Sequence, residues 1–237
     1  MFIPAVSMLA LYFYAFHCFN YLICMKDLDD FKAYEGINPL PKYLNNKRLK
    51  YVVKFAGEVE SVLDAGCGDG YVLTKINAKK FTGIDLVEAK LLRASQKRKG
   101  INFVVGNIEK MPFNDSLFDA VLCNEVLEHV RDYKVVIDEL VRVCKNNGHI
   151  IVSIPNLTNM KIGRLFSLRF PVNPTDHINY ITPQTLYSSM LNNSSKSNVI
   201  LIEETYLPFS WLPFHFCINY VAKYRVIKGL KTKTIES

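Results

Sequence analysis

Apolar and polar positions alternate in blocks along the chain from about residue 60. Short apolar runs typical of buried strands occupy 61–65, 80–84, 101–105, 118–123 and 149–154. Amphipathic stretches lie between some of them: 86–100 ends at Gly100, and 132–145 carries apolar residues along one side, namely Val135, Val136, Leu140 and Val143. Apolar strands that alternate with helices of this length predict an α/β fold, with a doubly wound, mostly parallel sheet and helices on both faces.

The alternation changes after residue 155. Prolines punctuate residues 155–197, which predicts an insertion over the carboxyl end of the sheet, where ligands bind in α/β folds. Within it, Thr182 followed by Pro183 predicts the start of a helix. Residues 198–205 form a further strand, and residues 217–223 are interpreted as its antiparallel neighbour. The loop between these two strands, YLPFSWLPFHF, is apolar and aromatic.

The first 25 residues form a separate apolar segment. Residues 2–25 contain no Lys, Arg, Asp or Glu, and as a helix they would be about 36 Å long, enough to cross a bilayer. The lysines that follow would place residues 26–237 in the cytoplasm. Two interpretations stay open: an anchor on the inner face of the membrane, or an extension absent from a working protein that begins at Met25.

The composition of the chain limits which classes of partner and site are expected. The net charge is +7, but the basic residues are scattered, so nucleic acid is not an expected partner, whereas a mild attraction to anionic membranes is compatible with this charge. The six cysteines form no C-x-x-C pair and no framework spacing, which argues against a metal cluster or a disulfide scaffold and favours a reducing compartment. Nothing in the sequence indicates an oligomeric state.

The turn after the first strand carries the strongest chemical signal. The sequence VLDAGCGDG, residues 62–70, places Gly66, Gly68 and Gly70 directly behind a strand, where backbone N–H groups face a ligand site. Its G-x-G-x-G spacing differs from the dinucleotide pattern G-x-G-x-x-G, which disfavours a nicotinamide dehydrogenase. Asp64 would repel an anion but favour a ligand with an ammonium or sulfonium group. The alternative is an ordinary tight turn.

Five motifs together resemble one family. In order they are VLDAGCGDG, FTGIDL, GNIEKMPF, FDAVLCNEVLEHV and KNNGHIIVSIPN. They resemble the class I S-adenosylmethionine-dependent methyltransferases of type 11, the ubiquinone and menaquinone biosynthesis group, over about residues 45–155. The resemblance implies a seven-stranded Rossmann-like sheet, S-adenosylmethionine as cofactor and a small-molecule or lipid-like methyl acceptor. The alternative is a catalytically silent cofactor-binding module that acts as a membrane-associated regulatory or assembly subunit.

The resemblance also assigns the cofactor-binding residues. They are Asp64, Gly66, Cys67, Gly68, Gly70, Asp85, Leu86, Asn107, Ile108 and Asn124. Asp85 can accept two hydrogen bonds from a ribose diol, or it can be the N-cap of the following helix. Asn107 stands where the family usually has Asp, so its hydrogen bond to an adenine amine would be weaker. Ile108 would present its backbone amide to the base.

The sequence is less specific about the residues that contact the methyl acceptor. If a helix begins at Glu125, then Glu125, Glu128 and His129 share one face of it. Three interpretations stay open: the side chains only tie the helix to its neighbours, His129 is a general base oriented by Glu128, or the three residues bind a divalent cation. By resemblance, His177 and Tyr180 in the insertion face the substrate, and a surface-loop role is the alternative.

Overall fold

The computed structural model describes residues 39–156, 159, 178–192, 197–208 and 217–228. The helices are α1 (Pro39–Ala56), α2 (Glu88–Lys97), α3 (Tyr133–Val143) and α4 (Pro183–Asn192), with a short 3₁₀ turn at Val72–Lys75. The strands are β1 (Glu58–Ala65), β2 (Asn77–Asp85), β3 (Ile101–Val105), β4 (Phe118–Asn124), β5 (Cys144–Pro155), β6 (Ser197–Leu207) and β7 (Asn219–Lys228).

The strands form one seven-stranded sheet in the order β3-β2-β1-β4-β5-β7-β6. Strands β1 to β5 pair in parallel, whereas β7 runs antiparallel to both β5 and β6. The predicted mostly parallel sheet is therefore confirmed, and it is a mixed sheet with an antiparallel side. The strand order reverses between β1 and β4, and ligands of open α/β sheets bind at such a point.

The two faces of the sheet pack into two apolar cores. Neighbouring residues of β1 show this directly: Val62 packs with Phe55 of α1 in one core, and Leu63 packs with Leu140 of α3 in the other. These four side chains are essentially inaccessible to solvent. Because successive strand residues point to opposite faces, such a strand is buried on both sides, and the predicted covering of both faces by helices is confirmed.

Local capping explains where two of the helices begin. The Asp132 side chain accepts a hydrogen bond from the backbone N–H of Lys134, 2.9 Å away, at the start of α3. At the start of α4 the capping is reciprocal: Thr182 Oγ1 accepts from Thr185 N–H at 3.2 Å, and Thr185 Oγ1 accepts from Thr182 N–H at 2.8 Å. Pro183 is the first residue of α4, so the Thr-Pro prediction is confirmed.

Several predicted features lie outside the described residues. These are the apolar run 1–25, the insertion apart from 155–156, 159, 178–192 and 197, and residues 209–216 of the aromatic loop. Within the part of the chain that the structure describes, no helix is both long enough and apolar enough to cross a membrane. The division into residues 1–25 and 26–237 stays a prediction.

Candidate functional site

The loops that follow β1 and β4 meet at the point where the strand order reverses. Asp64, one residue before the end of β1, pairs with Gly83 of β2 and Leu122 of β4. A methyl group at position 66 would lie 2.5 Å from Cγ2 of Val126, so the two loops are in direct contact. The carboxyl ends of β1, β2 and β4 therefore enclose one crevice, and residues predicted to bind the cofactor come from all three.

The glycine loop is shaped by its own packing. The backbone φ angles are 81° at Gly66, 53° at Gly68 and 73° at Gly70. Residues other than glycine rarely adopt such positive values. At Gly70 a methyl group would lie 2.7 Å from Cζ of Phe103. Conformation and packing thus explain why glycine stands at 66 and 70, as the tight-turn alternative expects. Contact between these glycines and a ligand stays a prediction.

Cys67 reaches from the same loop towards β2. Its Sγ lies 2.6 Å from the position that a Cβ would take at Gly83. Gly83 has an ordinary φ, so only space demands glycine there. The backbone N–H groups of Gly66 and Cys67 both donate to Ile84 O, at 2.8 and 3.0 Å. The loop is thereby fastened to the end of β2.

A salt bridge holds the far side of the glycine loop. Arg98, the residue that caps α2, donates to the Asp69 backbone oxygen at 2.6 Å and to Asp69 Oδ2 at 2.8 Å. Asp69 Oδ1 accepts from Tyr71 N–H at 3.0 Å, and the Arg98 guanidinium lies 5.4 Å from the centre of the Tyr71 ring. These contacts pre-organise the loop. Arg98 was missed because an arginine in a charged helix end carries no signal for such a contact.

Asp85 joins the end of β2 to the glycine loop. Its Oδ2 accepts from Gly68 N–H and its Oδ1 from Val87 N–H, both at 2.9 Å. The N-cap of α2 is Val87, so Asp85 is not the helix cap. Next to it, Leu86 is 72% exposed. A carboxylate beside an exposed apolar side chain suits a ligand that combines a ribose diol with a flat base.

Asn107 uses its amide within its own turn. Its Oδ1 accepts from Glu109 N–H at 2.9 Å, and its Nδ2 donates to Glu109 Oε2 at 3.3 Å. The amide can therefore shape this turn although the family usually has Asp here. Ile108 packs its side chain into the core. The contacts of both residues with adenine stay predictions.

Asn124 is the last residue of β4, and its side chain is the clearest indication that the crevice binds a ligand. Both polar atoms of its side chain are shielded from solvent, and neither makes a hydrogen bond with the described residues. A buried amide without partners costs about 1–3 kcal/mol. Together with Asp85 and Leu86, this amide fits a cofactor that carries hydroxyl, amine and carboxylate groups.

The segment 125–129 does not form the predicted helix. Glu125 has a φ of 55°, which turns the chain, and His129 N–H donates to Val126 O at 2.9 Å in a single turn. Helix α3 begins only at Tyr133. The prediction that Glu125, Glu128 and His129 share a helix face is therefore wrong. Among the described residues, no group of three His, Cys, Asp or Glu side chains has an arrangement that could hold a metal ion.

Glu125 bonds to residues of three other elements. Its Oε1 accepts from Ser153 Oγ at 3.0 Å, and its Oε2 accepts from Asn219 Nδ2 at 3.0 Å and pairs with Arg48 Nη1 at 3.1 Å. These partners belong to β5, β7 and α1. The unusual backbone conformation of Glu125 is thus held by contacts with three elements.

Glu128 and His129 lie near the end of the same turn. Glu128 is buried, whereas the His129 side chain is 36% exposed, and Nε2 of His129 lies 3.8 Å from Oε1 of Glu128. This distance is an ion-pair contact if His129 is protonated, but it is too long for a hydrogen bond. Burial, then the charges of Glu128 and Asp64, raise the pKa of the Cys123 thiol. Two buried carboxyl groups, Asp64 and Glu128, thus lie near the ends of β1 and β4, and a negative charge there suits a positively charged group.

The structure describes one of the two residues that were predicted to face the substrate. His177 lies outside the described residues. Tyr180 lies in the segment that leads into α4, and it is 52% exposed. Its contact with a substrate stays a prediction.

Comparison with known proteins agrees with this geometry. Residues 63–152 match the family model of a methyltransferase domain. The chain is 29% identical to the ubiquinone biosynthesis O-methyltransferase of Rickettsia akari, over 68% of this chain and 68% of that protein. It is 33% identical to an uncharacterized protein of Methanocaldococcus jannaschii, over 62% of this chain and 60% of that protein.

Solved structures support the fold. The N-methyltransferase NodS from Bradyrhizobium japonicum matches with a TM-score of 0.60 and 17% identity, over 78% of this chain and 98% of that chain. The [4+2]-cyclase SpnF matches with a TM-score of 0.60 and 16% identity, over 78% and 82%. Because a cyclase shares the architecture, the fold alone does not assign a reaction.

The family assignment rests on sequence and site together. The matched segment begins in β1 and ends in β5, so it contains the glycine loop, Asp85, Asn124 and the turn that carries Glu128 and His129. The crevice offers buried carboxyl groups, an exposed apolar side chain and an amide without a partner among the described residues. Residues 63–152 therefore form a methyltransferase domain that is similar to the class I S-adenosylmethionine-dependent methyltransferases of type 11, and S-adenosylmethionine is the cofactor that this match implies.

Proposed function

We propose that this methyltransferase acts on an oxygen atom of a small phenol-like or quinol-like acceptor. The observation that carries the proposal is the turn at the end of β4, where a partly exposed histidine lies 3.8 Å from a buried glutamate beside the cofactor crevice. A phenol must lose a proton as its oxygen attacks, and a histidine can take that proton. Support also comes from relatives that are named ubiquinone biosynthesis O-methyltransferases.

The cofactor half of the crevice lies on β1 and β2. Bound S-adenosylmethionine supplies an electrophilic methyl group on a positively charged sulfur. The buried carboxyl of Asp64 would favour that positive charge. Asp85 would accept hydrogen bonds from the ribose hydroxyls, and the exposed Leu86 would cover the base. Arg98 keeps the glycine loop in place through Asp69. The chain thus contributes binding and alignment, which are the largest needs of this kind of transfer.

The acceptor half lies on the β4 side. His129 removes the acceptor proton at its imidazole, and the Glu128 carboxylate stabilises the resulting positive charge. Asn124 offers its amide between the two halves, where it can orient either ligand. The buried Leu127 anchors the turn in the core.

No observation favours the alternative of a catalytically silent module. That alternative draws on Asn107, which stands where the family usually has Asp, and on the divergent C-terminal third of the chain. The Asn107 amide still shapes its turn through Glu109.

Labelled methyl transfer tests the proposal. The protein is incubated with methyl-labelled S-adenosylmethionine and, separately, a catechol, a primary amine of similar size and a lipid extract. We expect label in the methyl ether of the catechol, and S-adenosylhomocysteine binding in the micromolar range, about 8 kcal/mol. Label in the amine alone, or in a lipid component that has no hydroxyl group, would contradict the oxygen acceptor. Binding without transfer to any acceptor, including a fractionated cell extract, would favour the silent module.

A further inference from the structure

Residues 178 and 179 lie across the turn that carries Glu128 and His129. The Asn179 side chain uses both hydrogens of its amide nitrogen: Nδ2 donates to Leu127 O at 3.0 Å and to Val130 O at 2.6 Å. The backbone N–H groups of Ile178 and Asn179 both donate to Glu128 O, at 2.8 and 3.1 Å. Two residues therefore make four hydrogen bonds to three carbonyl groups of one turn.

The orientation of the Asn179 amide is fixed by its partners. Both are backbone carbonyls, which only accept, so the nitrogen must face them. The neighbouring side chains of Ile178 and Tyr180 are 65% and 52% exposed, whereas Asn179 is partly buried. The Asn179 side chain is thus the least exposed of the three, and it bonds directly to the turn.

Other contacts fix the start and the middle of the turn: Glu125 N–H donates to Ser153 O at 3.1 Å, and Leu127 is buried in the core. Among the described residues, its one internal backbone hydrogen bond runs from His129 N–H to Val126 O. The buried Glu128 carboxyl lies on this turn and contributes, with Asp64, to the negative charge near Cys123. A shift of the turn would therefore move Glu128 and His129 relative to the cofactor crevice.

We propose that Asn179 is a positioning residue for methyl transfer: its amide holds the turn so that Glu128 and His129 face the acceptor. This inference rests on the proposed function. Asn179 is expected to act on turnover rather than on cofactor affinity, because its side chain contacts the turn after β4, whereas the proposed cofactor contacts Asp85 and Leu86 lie at the carboxyl end of β2 and directly after it.

The test compares Asn179→Ala and Asn179→Asp with Asn192→Ala and Asn192→Asp, the same changes at an exposed position near the end of α4. Alanine removes both donors, and aspartate keeps the shape but turns an oxygen towards the carbonyls. We expect both changes at 179 to lower kcat about tenfold or more, with the dissociation constant of S-adenosylhomocysteine within about twofold of wild type. Both changes at 192 should leave kcat within about twofold.

Amide hydrogen exchange separates this proposal from the proposed function. In Asn179→Ala, a peptide covering residues 125–131 should exchange about tenfold faster than in wild type and in Asn192→Ala. If the wild type binds S-adenosylhomocysteine but methylates no acceptor, the proposed function fails, and exchange still decides whether Asn179 holds the turn. Unchanged exchange, unchanged kcat in Asn179→Asp, or equal losses of kcat and cofactor affinity would each overturn the positioning role.

Discussion

The two ends of the parallel strands use similar residues in different ways. At the amino end, Asp119 of β4 accepts from Ser61 N–H at 3.0 Å, from Ser61 Oγ at 2.6 Å and from Lys145 Nζ at 2.8 Å. At the carboxyl end of the same strand, the amide of Asn124 is shielded from solvent and bonds to none of the described residues. The Asp119 side chain has hydrogen-bond partners within the protein, whereas the Asn124 side chain has none among the described residues.

Two histidines near the two ends differ in exposure. His149 of β5 lies towards the amino end and is half-buried; burial, then the charges of Lys223 and Arg225, lower its pKa. His129 lies beyond the carboxyl end of β4, with more than a third of its side chain exposed. A satisfied polar group stabilises the fold, whereas an accessible or unsatisfied one is available to a ligand. Paired substitutions at the two ends test whether this division holds.

The largest expected effect is on turnover. His129→Gln should lower kcat by about 10² to 10⁴, because a glutamine side chain cannot take the proton from the methyl acceptor. The affinity for the cofactor should stay nearly unchanged. His149→Gln makes the same change at the opposite end and should leave kcat within about twofold. The measurement is steady-state transfer of a labelled methyl group. Equal activity of the two variants would refute proton transfer by His129, and loss of folding in His129→Gln would indicate a structural role.

The next effect is on cofactor binding. Asp85→Asn removes a charged acceptor for the ribose and weakens the contact with Gly68, so the affinity for S-adenosylhomocysteine should fall about 10-fold to 100-fold. Asp119→Asn is the matched change at the amino end and should leave this affinity unaltered. Isothermal calorimetry measures both. Comparable affinities for wild type and Asp85→Asn would exclude the ribose contact.

The smallest effect is on stability. Burial raises the pKa of the Asp119 carboxyl, but hydrogen bonds from Lys145 and Ser61 outweigh it, so the pKa lies below its ordinary value. The carboxylate therefore stabilises the fold above about pH 4, its unfolded pKa, and this contribution is lost as the pH falls through the lower folded pKa. Asp119→Asn should reduce the free energy of unfolding by about 1 kcal/mol at pH 7.

Denaturant titrations at pH 7 and pH 3 check the pH dependence. The difference between wild type and Asp119→Asn should shrink at the lower pH. A difference of the same size at both values would mean that the charge of Asp119 does not contribute. Asp85→Asn should change the free energy of unfolding less than Asp119→Asn does at pH 7.

The sequence predicts the parallel part of the fold well because that part is regular. Buried strands with short amphipathic helices leave a clear pattern, and each of the five predicted strands lies within an observed one. Helix α1 was not predicted. Its buried residues, Leu49, Val52 and Phe55, recur every third position among lysines and asparagines, and they become recognisable only once the core they cover is known.

The candidate site divides in the same way. The positions assigned by resemblance, such as Asp64, Asp85 and Asn124, all lie at the carboxyl ends of neighbouring strands. The helix over 125–129 failed because Glu125 adopts a positive φ, which its distant partners Arg48 and Asn219 support. Contacts between residues so far apart in the chain leave no local pattern from which they could be predicted.

The close approach of Gly83 to Cys67 limits which substitutions can occur at positions 67 and 83. Because the backbone at 83 is ordinary, alanine there is disfavoured mainly by the Cys67 sulfur atom 2.6 Å away, and to a smaller degree by Cβ of Cys67 at 3.1 Å and by Phe103 at 3.2 Å. A lineage that replaces the thiol by a smaller side chain gains room at 83, whereas one that keeps the thiol does not. The two positions are therefore expected to change in a fixed historical order, with position 67 becoming smaller before position 83 becomes larger.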